Sequence, residues 1–283
     1  MKIAILGSVE PLGIEIIKTL NKTKYTINEI DLNALNSSDH QSTQTKLESL
    51  LPLDIIINCT AMSNVYECEK NYESSFNVNS LSLLPLANFC KANNITLFHI
   101  STDHVFDGKK LEPYLEGDKT NPLNVYGLSK LGGENIITSI MEKYFILRTS
   151  TLYGFQEDNF IESAIQKARR GHRIEATKDQ LVSPTHTLEL ARCLFQFIDK
   201  GADSFGLYHF AAKDRCSLFE LTEEVFRQLD IKAKIKLIKS KEDPSSIKRP
   251  LNRSLSVKKI KTYYAPKAWQ ESVSEYLNIK GYL

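Results

Sequence analysis

No stretch of the 283-residue sequence approaches the about 18 consecutive apolar residues that a membrane-crossing helix needs. No transmembrane segment and no membrane partner are therefore expected. An excess of charge of one sign is also missing. The 36 basic and 34 acidic side chains leave a formal net charge of +2, which argues against a dedicated nucleic-acid binder. Cysteines are few: Cys59, Cys68, Cys90, Cys193 and Cys216 are odd in number and form no Cys-x-x-Cys pair. That excludes a zinc ribbon, gives no metal site, disfavours a disulfide framework and suits a reducing cytoplasm. Internal repeats and low-complexity tracts are absent too. The first apolar run breaks at Gly7 after a few residues, as a strand entering a turn does and a signal peptide does not. With 42% hydrophobic and 25% charged residues, what remains is an ordinary globular composition, enough for one large or two modest domains.

The first half alternates short apolar runs with helical periodicity. Lys2–Leu6, Tyr25–Asp31, Asp54–Asn58, Ile95–Ile100 and Tyr144–Leu147 read as strands, and Leu12–Leu20, Leu47–Leu51, Tyr72–Ala92 and Tyr126–Ser139 as helices. Continuously apolar strands alternating with helices predict a parallel sheet covered on both faces, and right-handed crossovers make it a Rossmann-type doubly wound α/β domain. Beyond residue 150 the texture changes: helices around 159–170, 187–198 and 217–229, and an apolar–lysine alternation over Ile231–Lys241 that reads as a strand with one wet face. The expected organisation is a dinucleotide-binding domain over 1–150 and a smaller α/β substrate-binding region over 151–283, partly interleaved with the first.

Two motifs carry chemistry. Gly7-Ser-Val-Glu10-Pro11-Leu12-Gly13 follows the first strand and opens a helix; glycines let the backbone turn tightly, and the helix N-terminus offers N–H groups to a pyrophosphate. A plain strand–turn–helix explains such a segment about as well, but Asp31 at the end of the next strand strengthens the dinucleotide reading. Its carboxylate suits ribose hydroxyls and repels a 2′-phosphate, so NADH is slightly favoured over NADPH. The second motif is Tyr126-x-x-x-Lys130. One helical turn puts both side chains on one face, where an ammonium beside the phenol is expected to lower the tyrosine pKa from about 10. Thr102 and Asp103, at a strand's carboxyl end, lie where ligands bind in such sheets; a carbonyl held by Thr102 and Tyr126 would be polarised for hydride attack, with Tyr126 giving the proton.

The run Ser101-Thr-Asp-His-Val-Phe-Asp-Gly108, then Pro113-Tyr114, Pro122-Leu-Asn-Val-Tyr-Gly127, Lys130, Gly133-Glu134, Arg148-Thr-Ser150, Tyr153-Gly154, Ser183-Pro-Thr185, Gly206-Leu-Tyr-His209 and Arg249-Pro250 strongly resembles the dTDP-4-dehydrorhamnose reductase family of extended short-chain dehydrogenase/reductases. The resemblance spans nearly the whole chain. It implies transfer of hydride from NAD(P)H to the C4 ketone of a nucleotide-linked 6-deoxyhexose. It casts Tyr126 as proton donor, Lys130 as its partner and ribose ligand, Thr102 as the group that polarises the ketone, and Asp103 as a sugar contact. Ala61-Met62-Ser63 matches the segment that lines the cofactor, Asp31 the adenosine-side acid, and Asp39, more loosely, the adenine-edge contact. Arg249 becomes the candidate for the substrate diphosphate.

The departures are as informative. The family's middle glycine is Glu10, followed by Pro11, which brings a carboxylate and removes one N–H from the phosphate turn. Its tyrosine after Thr-Asp is His104, its tryptophan after Arg-Thr-Ser is Thr151, and its aspartate after Val65 is Tyr66; the first two changes point to a remodelled sugar pocket. His99 reads as a satisfied core residue, and Cys59 as an inert thiol near the cleft. A 4-ketoreductase is the first reading, with a nucleotide sugar as partner and a homodimer left open. A non-catalytic dinucleotide- or sugar-binding interaction subunit stays open because of Glu10 and Pro11, and an epimerase or dehydratase on the same scaffold stays open beside it.

Overall fold

The computed structural model describes residues 1–19, 24–31, 40–155, 159–240 and 247–283. Its centre is a six-stranded sheet in the order β6-β5-β4-β3-β1-β2, built from β1 (Lys2–Leu6), β2 (Thr26–Ile30), β3 (Ile55–Asn58), β4 (Thr96–Thr102), β5 (Tyr144–Thr149) and β6 (Gly206–His209). Every neighbouring pair in it is parallel. Strand residues alternate between two apolar layers, as a pleated sheet buried on both faces requires. Ile3, Ile5, Ile57, Phe98 and Leu147 face α1 (Pro11–Thr19) and α6 (Thr187–Asp199) through Leu12, Ile16, Leu190 and Phe197. Ala4, Leu6, Ile56, Leu97 and Ile146 face α2 (His40–Glu48), α3 (Leu83–Ala92) and α4 (Val125–Ile140) through Leu47, Leu86 and Ile137.

The chain winds outward from β1 to β2 and then crosses back to β3 on the other side of β1. That reversal leaves a crevice at the carboxyl ends of β1 and β3, the place where ligands settle in doubly wound sheets. A third core lies beyond residue 150, where α5 (Phe160–Arg169), α7 (Leu218–Gln228) and α8 (Trp269–Ile279) pack through Ile161, Ile165, Leu221, Phe226, Val273 and Tyr276. The C-terminal half is interleaved with the first, since α6 and β6 return to the main sheet.

Three local expectations need correction. Tyr72–Ala92 is not one helix: α-helix over Tyr72–Phe76 passes into a π-helical turn over Asn77–Leu81 before α3 begins. The wide turn swings Asn79 inward, where it accepts from Met62 N–H (2.9 Å) and donates to the Met62 carbonyl (3.0 Å) and Ser129 Oγ (3.0 Å); π-turns often sit at functional sites for this reason. The helix expected over Leu47–Leu51 is instead the end of α2, which begins at His40 in a Thr/Gln-rich stretch without apolar periodicity. In the expected strand over Ile231–Lys241, whose last residue lies outside the described ones, only Ile235–Ile238 pairs among the described residues, because its parallel partner Ile174–Thr177 is four residues long. Ile231 and Ala233 still pack on the third core without a ladder.

Candidate active site

The glycine turn forms as its composition dictates. Gly7 takes the left-handed φ of +75°, and its N–H and that of Ser8 donate to the Ile30 carbonyl at 3.0 and 3.3 Å. A Cβ on Gly13 would stand 2.1 Å from the Gly7 carbonyl oxygen, so α1 starts in direct contact with the turn and only glycine fits. The first bond into the helix runs from Ile14 N–H to the Glu10 carbonyl. Helix geometry thus leaves Leu12 and Gly13 N–H without an intrahelical partner, Pro11 brings no donor, and Glu10 N–H is turned back onto the Gly7 carbonyl at 3.0 Å. Thr60 Oγ1, beside Gly7, is buried with no partner. Two helix N–H groups, one orphaned hydroxyl and a turn closed to side chains make a cradle that fits the phosphates of a dinucleotide.

From this turn a cavity of about 350 Å³ runs across the ends of β3, β4 and β5. Glu10, Pro11 and Leu12 line one end; Ala61 and Ser63 line its floor; Thr102, Asp103, His104, Tyr126, Lys130 and Thr151 line the rest. Gly7 and Gly13 lie behind the wall as its support, and Met62 is held by Asn79 between two lining residues. Asp31 directly follows β2. Burial, and then the Asp31 charge, push the Glu10 carboxyl above its ordinary range, so the two carboxylates are electrostatic neighbours. Asp39 lies outside the described residues. Arg249 is exposed and does not line the cavity; Arg253, four residues further on, does.

Asn124 caps α4 by accepting from Gly127 N–H at 2.9 Å, which sets Tyr126 and Lys130 one turn apart over the end of β4. The expected ammonium–phenol contact is not what organises them. Lys130 is 1% exposed, and its Nζ donates to the Ile100 carbonyl at 2.6 Å and faces His99 Nε2 at 3.2 Å. Burial lowers Lys130 to about 8 and raises the Tyr126 phenol to about 12, with a Thr102 hydrogen bond and the Asp103 charge pulling in opposite directions. Desolvation of the phenol therefore outweighs any cation, and the sign of the expected tyrosine shift reverses.

His99 does more than fill the core. Its other nitrogen lies 3.2 Å from Asn58 Nδ2, so Asn58, His99 and Lys130 form one buried chain beneath the cavity. Beside it Glu134 receives Arg148 through Nε (2.9 Å) and Nη2 (2.6 Å) and the Ser101 hydroxyl, tying α4 to β4 and β5. Thr151 has a φ of +40°, costly for a β-branched residue, and its buried Oγ1 has no partner. The Cys59 thiol is pushed up to about 12 by burial, so it stays protonated and unreactive. Sequence reasoning left Asn124 and Arg253 out of the site. A cap signal, Asn before an apolar helical run, marked Asn124; nothing local marks Arg253, which reaches the cavity from a different part of the chain.

A parallel sheet reversing at β1, with a glycine turn at the reversal and a Tyr–Lys helix over its strand ends, is the architecture of Rossmann-type reductases and epimerases. The family model described as "RmlD substrate binding domain" matches residues 1–281, and the chain belongs to that family. It is 28% identical over 277 residues to the spore coat polysaccharide biosynthesis protein SpsK of Bacillus subtilis strain 168, covering 98% of this chain and 96% of the relative. The crystal structure of a dTDP-4-dehydrorhamnose reductase from Clostridium acetobutylicum superposes with a TM-score of 0.93 at 31% identity, covering 99% of this chain and 100% of that one. The dTDP-4-dehydrorhamnose reductase of Bacillus anthracis, solved in complex with NADP, superposes with a TM-score of 0.92 at 27% identity over 98% of both chains. Among the described residues no helix is long and apolar enough to cross a membrane, and no cluster of His, Cys, Asp and Glu could hold a metal.

Proposed function

We propose that this chain is an NAD(P)H-dependent reductase of the C4 ketone of a nucleotide-linked 6-deoxyhexose, dTDP-4-dehydrorhamnose or a related 4-keto sugar nucleotide, serving deoxysugar biosynthesis. The observation that carries it is the convergence of Thr102, Tyr126 and Lys130 on the cavity that begins at the glycine turn. The names of the reductases to which the chain is similar support the same chemistry.

The Thr102 hydroxyl and the Tyr126 phenol both line the cavity, within reach of a ketone oxygen bound there. A bound NAD(P)H supplies the hydride to C4. As that carbon gains its C–H bond, the oxygen takes the Tyr126 proton, and solvent later restores it. Holding the phenol near 12 keeps the donor loaded throughout the neutral range. Lys130 spends one of its three donors on the Ile100 carbonyl, leaving donors for a ribose hydroxyl. Leu12 and Gly13 N–H would hold the pyrophosphate, and Ala61–Ser63 would line the nicotinamide side. Glu10 adds a second carboxylate beside Asp31, so NADH is the preferred coenzyme, because a 2′-phosphate would meet both charges.

Absorbance of the reduced coenzyme, followed with dTDP-4-dehydrorhamnose, tests this reading. Stoichiometric coenzyme oxidation is expected, with Tyr126→Phe slowing it by about 10²–10⁴-fold while leaving coenzyme affinity unchanged. Product formation without net oxidation would mean an epimerase or dehydratase. Fluorescence titration with NADH and NADPH tests the coenzyme preference, and failure of folded protein to bind either would sink the reductase reading.

A further inference from the structure

Beside Tyr126 is a polar cluster whose hydrogen bonds do not close on themselves. Asn124 has a fixed orientation: its Oδ1 accepts from Gly127 N–H at 2.9 Å and its Nδ2 donates to the Lys248 carbonyl at 3.0 Å. The amide NH2 is therefore what meets His104 Nδ1, at 3.1 Å. Nδ1 accepts, so a neutral imidazole must carry its one proton on Nε2. His104 is 5% exposed, and burial holds it neutral, at about 4.

Nε2–H then points at a group that also only donates, Arg253 Nη1, 3.1 Å away. Asp103 cannot relieve the conflict, because its Oδ1 lies 4.0 Å from His104 Nε2 and its Oδ2 3.8 Å from Arg253 Nη1, both beyond hydrogen-bond range. Two more atoms are left over: Arg253 Nε and Asp103 Oδ2 are buried with no hydrogen-bond partner. The cluster has donors in surplus on one side and an idle carboxylate acceptor on the other.

We propose that a hydroxyl of the substrate's hexose completes this cluster, its oxygen accepting from His104 Nε2–H and Arg253 while its own proton goes to Asp103 Oδ2. A hydroxyl both accepts and donates, which matches the two shortages at once; a diphosphate oxygen accepts only and would leave Asp103 facing a second anion. The Arg253 charge is already offset by Asp103 at 3.8 Å, which suits a neutral group. Position agrees, since the His104 ring packs edge-on against Tyr126 with centroids 5.3 Å apart, so an oxygen held there sits on a carbon near the one reduced. Arg253, which the sequence motifs left out, is thus a specificity-determining residue, and Arg249 is left to the outer, charged part of the substrate. This assignment rests on the reductase reading.

The test is calorimetric titration of wild type, Arg253→Met and Arg253→Lys with dTDP and with dTDP-L-rhamnose, the alcohol that reduction of dTDP-4-dehydrorhamnose gives. Loss of a charge-assisted hydrogen bond predicts that Arg253→Met weakens dTDP-L-rhamnose by about tenfold or more and leaves dTDP within about twofold. Arg253→Lys, which keeps one donor, should recover part of the loss. Equal weakening of both ligands would move the contact to the diphosphate and overturn the proposal, and so would no weakening of either. NADH affinity and thermal midpoint report whether each variant is folded; should Arg253→Met not fold, His104→Phe, which removes the other donor, is held to the same two criteria. A wild-type protein that reduces the ketone while its Arg253 variants bind normally refutes the hydroxyl contact alone. A folded wild type that binds neither dTDP ligand refutes the reductase reading and this proposal with it.

Discussion

Acid should unfold this protein early, and the reason lies in its histidines. Burial holds His104 and His186 at about 4 and His209 at about 3, against 6.5 for an exposed imidazole. His209 Nδ1–H donates to the Tyr114 carbonyl at 3.1 Å, but its Nε2 is buried with no acceptor for a second proton, and the Arg148 charge adds to the penalty. His186 lies stacked on Tyr153 with ring centroids 5.3 Å apart. In each case the folded pKa is depressed, so between about pH 6.5 and 4 the unfolded chain binds protons that the folded chain refuses. Stability is fully present above about pH 6.5 and is lost as pH falls. At pH 5 the linkage amounts to about 2 kcal/mol per histidine, or about 6 kcal/mol for three, a large part of the roughly 5–15 kcal/mol that holds a domain folded. For a chain of this length that is a fall of roughly 10 °C in thermal midpoint. The single tryptophan, Trp269, is buried in the C-terminal core, so its fluorescence reports melting directly. His209→Gln should remove its own share of the pH dependence, about 2 kcal/mol at pH 5. Equal midpoints at pH 7.5 and pH 5, or a pH slope untouched by His209→Gln, would refute the reasoning.

Two further substitutions probe the scaffold of the site. Gly13→Ala puts a methyl 2.1 Å from the Gly7 carbonyl, so the helix must back away from the turn; the expected outcome is folded protein whose NADH affinity, read by fluorescence titration, falls by about tenfold or more, at an overpacking cost of about 1–3 kcal/mol. Glu134→Gln leaves the buried Arg148 guanidinium without its counter-charge; breaking such a pair costs about 3–5 kcal/mol, which a thermal melt should register as a drop of roughly 5–8 °C.

The division between what local sequence and what folding decided runs through particular residues. Strands such as Ile55–Asn58, apolar at every position, could only be buried on both faces, and Gly7 and Gly13 could only bracket a turn against which a helix closes; those requirements act over a few residues and are readable from them. The Tyr126–Lys130 spacing was equally legible, because one helical turn is local geometry. Its electrostatics was not: whether a phenol is raised or lowered depends on the competition between desolvation and charges drawn from β4, α4 and the segment around Arg253, the last of them 127 positions further along the chain. The π-turn at Asn79 depended on Met62 and Ser129 arriving beside it. The donor surplus around His104 exists only because Asn124, Lys248 and Arg253 meet there. The sequence by itself determined the layered sheet, the phosphate turn and the reacting pair, since hydrophobic period and backbone sterics are short-range. Only the tertiary structure decided protonation and the sugar-facing wall, because burial and hydrogen-bond complementarity are properties of groups brought together from distant parts of the chain.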